Sequence, residues 1–256
     1  MMKSISIFVA LLAFFFAEMA LAAGAVATSV TGSVSVQTGT ATVRPLRQGD
    51  SVAQGDTVVT GAASSAVLRF DDGEITALTS NSRLQVTAYQ YNPTNNSGNV
   101  FLSLISGGMR AITGLIGRGS PNNVAYRAAT ATIGIRGTTV DVVTDGNTVA
   151  VAVSDGAISF TFNGQTVVVT TGQGAFTANG KITVEAATAI MNDPALSQAL
   201  QNALGSVAAL EAAINMSTGV EGTRHETIDN GTSTTTNPTT PGTGSGGGGT
   251  TTVSSH

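Results

Sequence analysis

The sequence predicts a mainly β protein, in which a compact antiparallel β domain precedes one amphipathic α-helix and a disordered tail. Short runs of Val, Ile and Thr alternate with turn dipeptides from Val26 to Val184. An Ala- and Leu-rich stretch follows, and the chain then becomes almost entirely Thr, Ser, Gly and Asn. These patterns are typical of strands, helix and unfolded chain in turn.

Asp-Gly and Asn-Gly pairs mark the ends of the predicted strands. They occur at positions 72–73, 145–146, 155–156, 163–164 and 179–180. Glycine adopts positive φ without strain, so each pair indicates a tight hairpin turn. The regular spacing of these turns fits a sandwich, a barrel or a meander, with a solenoid as the alternative. No fixed-length repeat with a shared side-chain ladder occurs, which favours the compact domain.

The first 22 residues are typical of a secretory signal peptide. Lys3 precedes an apolar run over residues 5–16, and Ala20-Leu21-Ala22 supplies small residues at a cleavage site. We therefore expect an exported protein, in the periplasm, at the cell surface or outside the cell. No later stretch is apolar enough to be expected to span a membrane. The predicted β domain covers residues 23–184, and the predicted disordered tail covers residues 217–256.

Residues 185–216 form the predicted helical segment, with the helix itself over 193–216. Asp193 is a suitable N-cap and Pro194 suits the first helical position. One apolar stripe runs along it at helical spacing, formed by Leu196, Leu200, Ala203, Val207, Leu210 and Ile214. We expect the stripe to pack on the sheet of its own chain; a partner helix or a second copy is the alternative.

The residue types present exclude most kinds of catalytic site. The chain has no cysteine, its two histidines are His225 and His256 in the predicted tail, and Lys181 is its one lysine after the leader. The β domain therefore has no histidine for a catalytic triad and no histidine or thiolate metal ligand. We predict a non-enzymatic protein without cofactor or metal. Its basic residues are scattered singly, so no nucleic-acid partner is expected.

Carboxylates remain as formal candidates for glycosidase chemistry or calcium binding. The candidates are Asp50, Asp56, Asp71, Asp72, Glu74 and Asp141. Most of them flank glycines, where an aspartate ordinarily bonds the local backbone of a turn. We interpret the acidic residues at positions 50, 56, 71, 72 and 74 as turn residues.

The stretch "ATIGIRGT" places Arg136 in an apolar, glycine-rich run. Strand alternation puts Ile133 and Ile135 on one face and Gly134 and Arg136 on the other. Glycine at such a position often marks the close approach of another backbone. We expect Arg136 to bind turn carbonyls or a carboxylate such as Asp72 or Asp141, with a ligand-binding role as the alternative.

Three stretches, "LRQGDSVAQGDTVVTGAASSAVLRFDDGEITALTSNSRLQV", "LSLISGGMRAITG" and "ATIGIRGTTVDVVT", together resemble the FecR domain, named for the ferric-citrate regulator of bacterial envelopes. The resemblance covers roughly residues 32–153. The positions that carry it are Gly49, Gly55, Asp72, Gly73, Leu78, Ser82, Gly108, Arg110, Arg136, Gly137 and Thr138.

The resemblance implies an exported β-rich module that acts by contact. Its partner would be an envelope or extracellular protein or polysaccharide, and self-association by strand addition is a further expectation. Signalling members of the family have a cytoplasmic sigma-regulating part and a membrane span before the domain, whereas here the predicted leader runs almost directly into the strands. A sensory partner of an outer-membrane receptor, responsive to iron, is the first alternative, and a carbohydrate-active enzyme is the second.

Overall fold

The computed structural model describes residues 24–39, 42–190, 192–210 and Ile214. The predicted leader and the predicted tail lie outside these residues. The described chain contains seventeen β-strands, three α-helices and one 3₁₀ turn. It is mainly β, as the sequence predicts.

The strands follow one another closely along the chain. Their bounds are β1 Gly24–Thr31, β2 Val34–Thr38, β3 Thr42–Pro45, β4 Ser51–Ala53, β5 Asp56–Thr60, β6 Ser65–Phe70, β7 Ile75–Leu78, β8 Arg83–Asn92, β9 Ser97–Ile112, β10 Val124–Ala128, β11 Ala131–Ile135, β12 Thr139–Thr144, β13 Val149–Asp155, β14 Ala157–Phe162, β15 Gln165–Thr170, β16 Gln173–Ala178 and β17 Lys181–Ala186. The helices are α1 Leu115–Gly119, α2 Ala187–Ile190 and α3 Gln198–Ala208, and the 3₁₀ turn is Pro121–Asn123.

The strand pairings form two sheets that share β9. Sheet A has the order β4-β1-β6-β7-β9-β12-β13-β16-β17. Sheet B has the order β3-β2-β5-β8-β9-β10-β11-β14-β15. The first part of β9 belongs to sheet B and its last residues to sheet A. Of the sequence's alternatives, the sandwich is the architecture formed.

One pairing departs from the predicted antiparallel arrangement. Strand β10 runs parallel to β9, with Val124 opposite Val100. The physical reason is the connection: α1 and the 3₁₀ turn carry the chain back along the sandwich before β10 begins. A parallel pair needs such a crossover, because a tight turn only returns the chain antiparallel.

Gly107 lies where β9 passes from one sheet to the other. Its φ is +86°, and an added Cβ would lie 2.5 Å from the Cα of Ser82. Only glycine fits both constraints. The first glycine of the "SGG" in the second family-like stretch is therefore the residue that allows β9 to change sheets.

The core lies between the two sheets. Alternate residues of both sheets point into it and form one continuous apolar cluster. Its fully buried large side chains include Leu68 and Phe70 from sheet A and Leu84, Leu104 and Phe160 from sheet B. Burying each such side chain contributes about 1.5–3 kcal/mol, so this layer supplies most of the driving force for folding.

Four of the five predicted hairpin turns are confirmed: 72–73, 145–146, 163–164 and 179–180 each join two paired strands. The prediction for 155–156 is wrong. This pair connects β13 of sheet A to β14 of sheet B. Gly156 is needed there because an added Cβ would collide with the carbonyl oxygen of Gly137.

The predicted helical segment is helical only in part. Strand β17 continues to Ala186, and α3 begins after Ser197, whose hydroxyl accepts a hydrogen bond from the Leu200 N–H at 3.4 Å. Asp193 caps a preceding turn instead, where its Oδ1 accepts from the Ala195 N–H at 2.6 Å. The helix starts later than predicted because that turn ends at Leu196.

The apolar face of α3 packs on the outer side of sheet A, so the expectation of packing within the same chain is confirmed. The buried cluster between them consists of Val143, Ala150, Phe176, Ile190, Leu196, Leu200, Leu204 and Val207. Leu204 occupies the centre of the face, and the predicted Ala203 is only partly buried. Ile214 packs farther along the same sheet, against Val67 and Ala77.

Candidate functional site

Three of the family-like glycines are required by backbone conformation. Gly49, Gly55 and Gly73 have φ values of +89°, +90° and +83°, and no atom lies near the position of an added Cβ. Their space is open, so the left-handed backbone alone selects glycine. All three lie in turns between strands.

Gly108 is required by packing. Its backbone has ordinary negative φ, but an added Cβ would lie 2.6 Å from Cγ2 of Val207 on α3. Its N–H donates to Ser82 Oγ at 2.9 Å, and that hydroxyl donates to the Gly108 carbonyl at 3.0 Å. Gly108 therefore lets the helix approach sheet A closely.

Arg110 forms the one buried ion pair among the described residues. Its Nε donates to Asp141 Oδ1 at 2.7 Å and its Nη2 to Asp141 Oδ2 at 2.9 Å. The two side chains are 5% and 6% exposed and lie opposite each other on β9 and β12. The bidentate geometry satisfies both charges, so the pair holds the two strands in register.

Arg136 does not make the contact that the sequence suggested. Its side chain is exposed, and the arginine that binds Asp141 is Arg110. The alternation prediction itself holds, since Ile133 and Ile135 point into the core. The Arg136 N–H donates to the Ala157 carbonyl at 3.2 Å, so its described contact is through the backbone.

The other residues of the "ATIGIRGT" stretch also serve the fold. An added Cβ at Gly134 would collide with Ser159 Oγ, so the close neighbour is a side chain of β14 rather than a crossing backbone. Gly137 has a φ of +68°. The Thr138 N–H donates to Thr113 Oγ1 at 2.8 Å, and the Thr113 N–H donates to the Thr138 carbonyl at 3.0 Å. This exchange joins the end of β9 to the start of β12.

Asp72 connects a hairpin turn to α1. Its Oδ1 accepts from the Glu74 N–H at 3.1 Å and its Oδ2 from the Ile116 N–H at 3.3 Å. The Asp72 N–H donates to the Tyr89 hydroxyl at 2.9 Å, and the Leu115 N–H donates to the Asp72 carbonyl at 2.9 Å. These bonds occupy the carboxylate, which is buried.

Glu74 is fully buried beside Asp72. Burial raises the pKa of its carboxyl well above the ordinary value, and the nearby charge of Asp72 raises it further. The nearby hydroxyls of Tyr126 and Thr76 lower that pKa in part. Among the described residues, neither hydroxyl and neither Glu74 carboxylate oxygen has a hydrogen-bond partner in good geometry. Burial likewise raises the pKa of Tyr126. The Asp72–Glu74 pair is sealed from solvent in this conformation.

The remaining acidic candidates accept hydrogen bonds from turns and from neighbouring strands. Asp71 Oδ2 accepts from the Gly24 N–H at 3.2 Å. Asp50 Oδ2 accepts from the Arg47 N–H at 2.9 Å. Asp56 accepts from the Thr38 hydroxyl at 2.6 Å and from the Ala53 N–H at 3.0 Å. No group of three or more His, Cys, Asp or Glu side chains placed to hold a metal ion occurs in residues 24–39, 42–190 and 192–210.

The outer face of sheet B is the candidate binding site. Helix α3 packs on the outer side of sheet A over β9, β12, β13 and β16. On sheet B, a groove of about 460 Å³ crosses β8, β9, β10 and β11. Its side chains are neutral, apart from one arginine. It is lined by Gln85, Thr87, Phe101, Leu102, Ser103, Ala125, Tyr126, Arg127 and Thr132. We call the whole outer face of sheet B, which includes this groove, the open face.

Strand register brings the aromatic and the cationic group of the open face together. Phe101 lies opposite Ala125 and Ser103 lies opposite Arg127 on the parallel strands β9 and β10. Thr132 lies opposite Arg127 on β11. Phe101 is 37% exposed, a high fraction for a phenylalanine in the middle of a sheet.

The open face carries positive charge only. Arg83 and Arg127 are its charged residues, and Arg83 Nη2 donates to Gln37 Oε1 at 2.8 Å. Within the described strands of sheet B the acidic residue is Asp56, which is buried. The whole chain has a net charge of −4, so the charge on this face has the opposite sign to the net charge of the molecule.

None of the family-like residues lines the groove. Sequence reasoning missed the open face because its residues come from four separate strands, and their proximity depends on the parallel pairing of β9 and β10. The usable signal was the alternation along β9, where Phe101 and Ser103 lie on the face opposite to the buried Leu102 and Leu104.

The described helices include none that is both long and apolar enough to cross a membrane.

The fold and these contacts define a β-sandwich domain whose family-like residues maintain turns, strand register and helix packing. Residues 56–159 match the family model described as "FecR protein". The chain therefore contains a FecR domain, as its motifs suggested. No curated protein matches the chain.

Two solved structures from Parabacteroides distasonis ATCC 8503 are similar, each described as a "putative anti-sigma factor". The first has 13% sequence identity and a TM-score of 0.41, and the alignment covers 64% of this chain and 91% of that chain. The second has 14% identity and a TM-score of 0.40, with 64% and 92% covered. Likeness at this level does not bear on what this chain binds.

Proposed function

We propose that the protein is a non-enzymatic binding module of the cell envelope or the cell exterior, and that its open face holds an anionic polysaccharide. The observation that carries the proposal is the charge of that face. Its two arginines stand among neutral polar side chains without an exposed acidic neighbour on the described strands of sheet B, in a chain whose net charge is −4. Such a face attracts negative partners.

The lining of the groove matches the chemistry of an acidic sugar. The Phe101 ring offers an apolar surface for the C–H face of a pyranose, and the amide of Gln85 and the hydroxyl of Thr132 can exchange hydrogen bonds with sugar hydroxyls. The guanidinium of Arg127 suits a uronate carboxylate, because its planar donors bind carboxylates in pairs. A polymer can lie across several strands without entering a deep pocket.

The remaining parts of the proposal rest on the chain's chemistry. A signal-like leader supports export. The absence of histidine from residues 1–224 and the burial of Glu74 support a role without catalysis. The FecR domain is consistent with an envelope module. An acidic protein surface is the competing partner for the same face.

The test is binding of the full chain to polygalacturonate, with neutral dextran as the control polymer. We expect Arg127→Ala and Phe101→Ala each to weaken binding about tenfold, which corresponds to roughly 1.4 kcal/mol. Arg69→Ala is the matched control, since Arg69 is an exposed arginine on β6 of sheet A, and it should leave affinity unchanged.

Equal losses in Arg69→Ala and Arg127→Ala would contradict the proposal, because they would reduce the effect to net charge. Absence of binding to any anionic polymer, together with Arg127-dependent capture of an envelope protein, would replace the polysaccharide by a protein partner.

A further inference from the structure

We infer that β15 is a self-association edge, at which a second copy of this chain pairs antiparallel about a two-fold axis through Val168. This surface is separate from the groove of the open face, so the inference stands whether or not a polysaccharide binds there. Edge strands expose unpaired backbone groups, and a second strand is their natural partner.

Four described strands lie at sheet edges, and three of them are protected. β4 has three residues. β3 has four, and they include Arg44 and Pro45. β17 carries Lys181 and Glu185 and leads directly into α2. Short length, charge and proline are the ordinary means of blocking strand addition.

β15 has none of these protections. Its six residues are "QTVVVT", without charge or proline, and among the described residues its pairing partner is β14. Val168 is 57% exposed. An uncharged, valine-rich edge of this length is the type that associates.

The backbone of β15 presents its free groups at alternate residues. The Thr170 N–H donates to Gln173 Oε1 at 3.0 Å, so it points away from β14. In an antiparallel ladder the N–H and C=O of alternate residues point to the same side. The backbone groups of Val168 and Thr166 therefore face the open edge as well.

The sequence of β15 allows two copies of the strand to pair antiparallel with identical contacts on both sides. Residues 166–170 read Thr-Val-Val-Val-Thr in both directions. Antiparallel pairing about Val168 sets Val168 against its copy and Thr166 against the copy's Thr170. Val167 lies opposite the copy's Val169, and both belong to the inward side of sheet B, where Val169 is fully buried. Such a pairing is isologous, the commonest kind of dimer contact.

Four backbone hydrogen bonds form in this arrangement without other change. The two Val168 residues exchange a pair, and each Thr166 N–H donates to the Thr170 carbonyl of the other copy. Each Thr170 N–H reaches the Thr166 carbonyl of the other copy once it leaves Gln173. The strand brings no like charges together, so nothing electrostatic opposes the contact.

Single cysteines test the register, because the full chain has no cysteine of its own. Val168→Cys places the thiol opposite its own copy, with Cα atoms about 5.5 Å apart, within disulfide range. We expect rapid disulfide dimers from this variant under mild oxidation. Thr166→Cys and Thr170→Cys are the matched controls and should stay uncrosslinked, since four residues separate each thiol from its copy by about 14 Å.

Mixing the Thr166→Cys and Thr170→Cys chains should restore crosslinking, because these positions lie opposite each other. A second measurement is sedimentation of the unmodified chain and of Val168→Lys, which should shift the dimer toward monomer. Equal crosslinking of all three cysteine variants, or an unmodified chain that stays monomeric at every concentration, would overturn the inference.

Discussion

Arg110 and Arg136 show what decides the role of an arginine in this fold. Both stand in family-like stretches. Arg110 is buried against Asp141 with two hydrogen bonds, whereas Arg136 is exposed. The alternation of β11 predicted the inward positions of Ile133 and Ile135 correctly. The partner of Asp141 could not be predicted, because it depends on the pairing of β9 with β12 across distant parts of the chain.

Arg110→Ala should therefore destabilise the protein far more than Arg136→Ala. Removal of the Arg110 guanidinium takes two charge-assisted hydrogen bonds from the buried Asp141 carboxylate, which costs about 3–5 kcal/mol. Replacement of an exposed side chain costs about 0.5 kcal/mol or less. Urea unfolding monitored by circular dichroism measures both free energies. Similar losses for the two variants would contradict the role given to the Arg110–Asp141 pair.

At the scale of elements, α3 illustrates how far a sequence pattern reaches. The helical spacing of apolar residues predicted the face that packs on the sheet, and Leu200 and Val207 lie in that contact. The start of the helix was placed too early, because Asp193 and Pro194 are equally suited to a turn, and the choice is made by the tertiary position of Leu196. The contact itself depends on a glycine of another element, Gly108.

Gly108→Ala should destabilise the protein through a collision with Val207. The double variant Gly108→Ala/Val207→Ala should recover part of the loss, since it removes the Cγ2 atom that the new Cβ would meet. We expect a coupling free energy above about 0.5 kcal/mol in this double-mutant cycle. Thermal or urea unfolding of the four chains measures it.

Gly119→Ala is the control for that cycle, because Gly119 has no atom within 4 Å of an added Cβ and is not among the residues of positive φ. Strict additivity of Gly108→Ala and Val207→Ala would show that α3 does not press on β9 as described.

At the scale of the whole molecule, the sandwich separates maintenance of the fold from the surface proposed for binding. The turn dipeptides and the apolar alternation were sufficient to predict a mainly β class and most hairpins. These patterns did not predict to which sheet each strand belongs. The Asp155-Gly156 pair, for example, connects a strand of sheet A to a strand of sheet B. The groove was beyond prediction for the same reason, because Gln85, Phe101 and Arg127 meet only after the two sheets are assembled.

The central claim is that sheet B presents the binding surface, while the chain's own helix packs on part of sheet A. The most direct measurement is amide chemical-shift mapping of the isotope-labelled chain during titration with oligogalacturonate. The account predicts that the shifts concentrate on β8, β9, β10 and β11, around Gln85, Phe101 and Arg127. Shifts concentrated on α3 and the outer side of sheet A, or no shifts at saturating oligosaccharide, would contradict it.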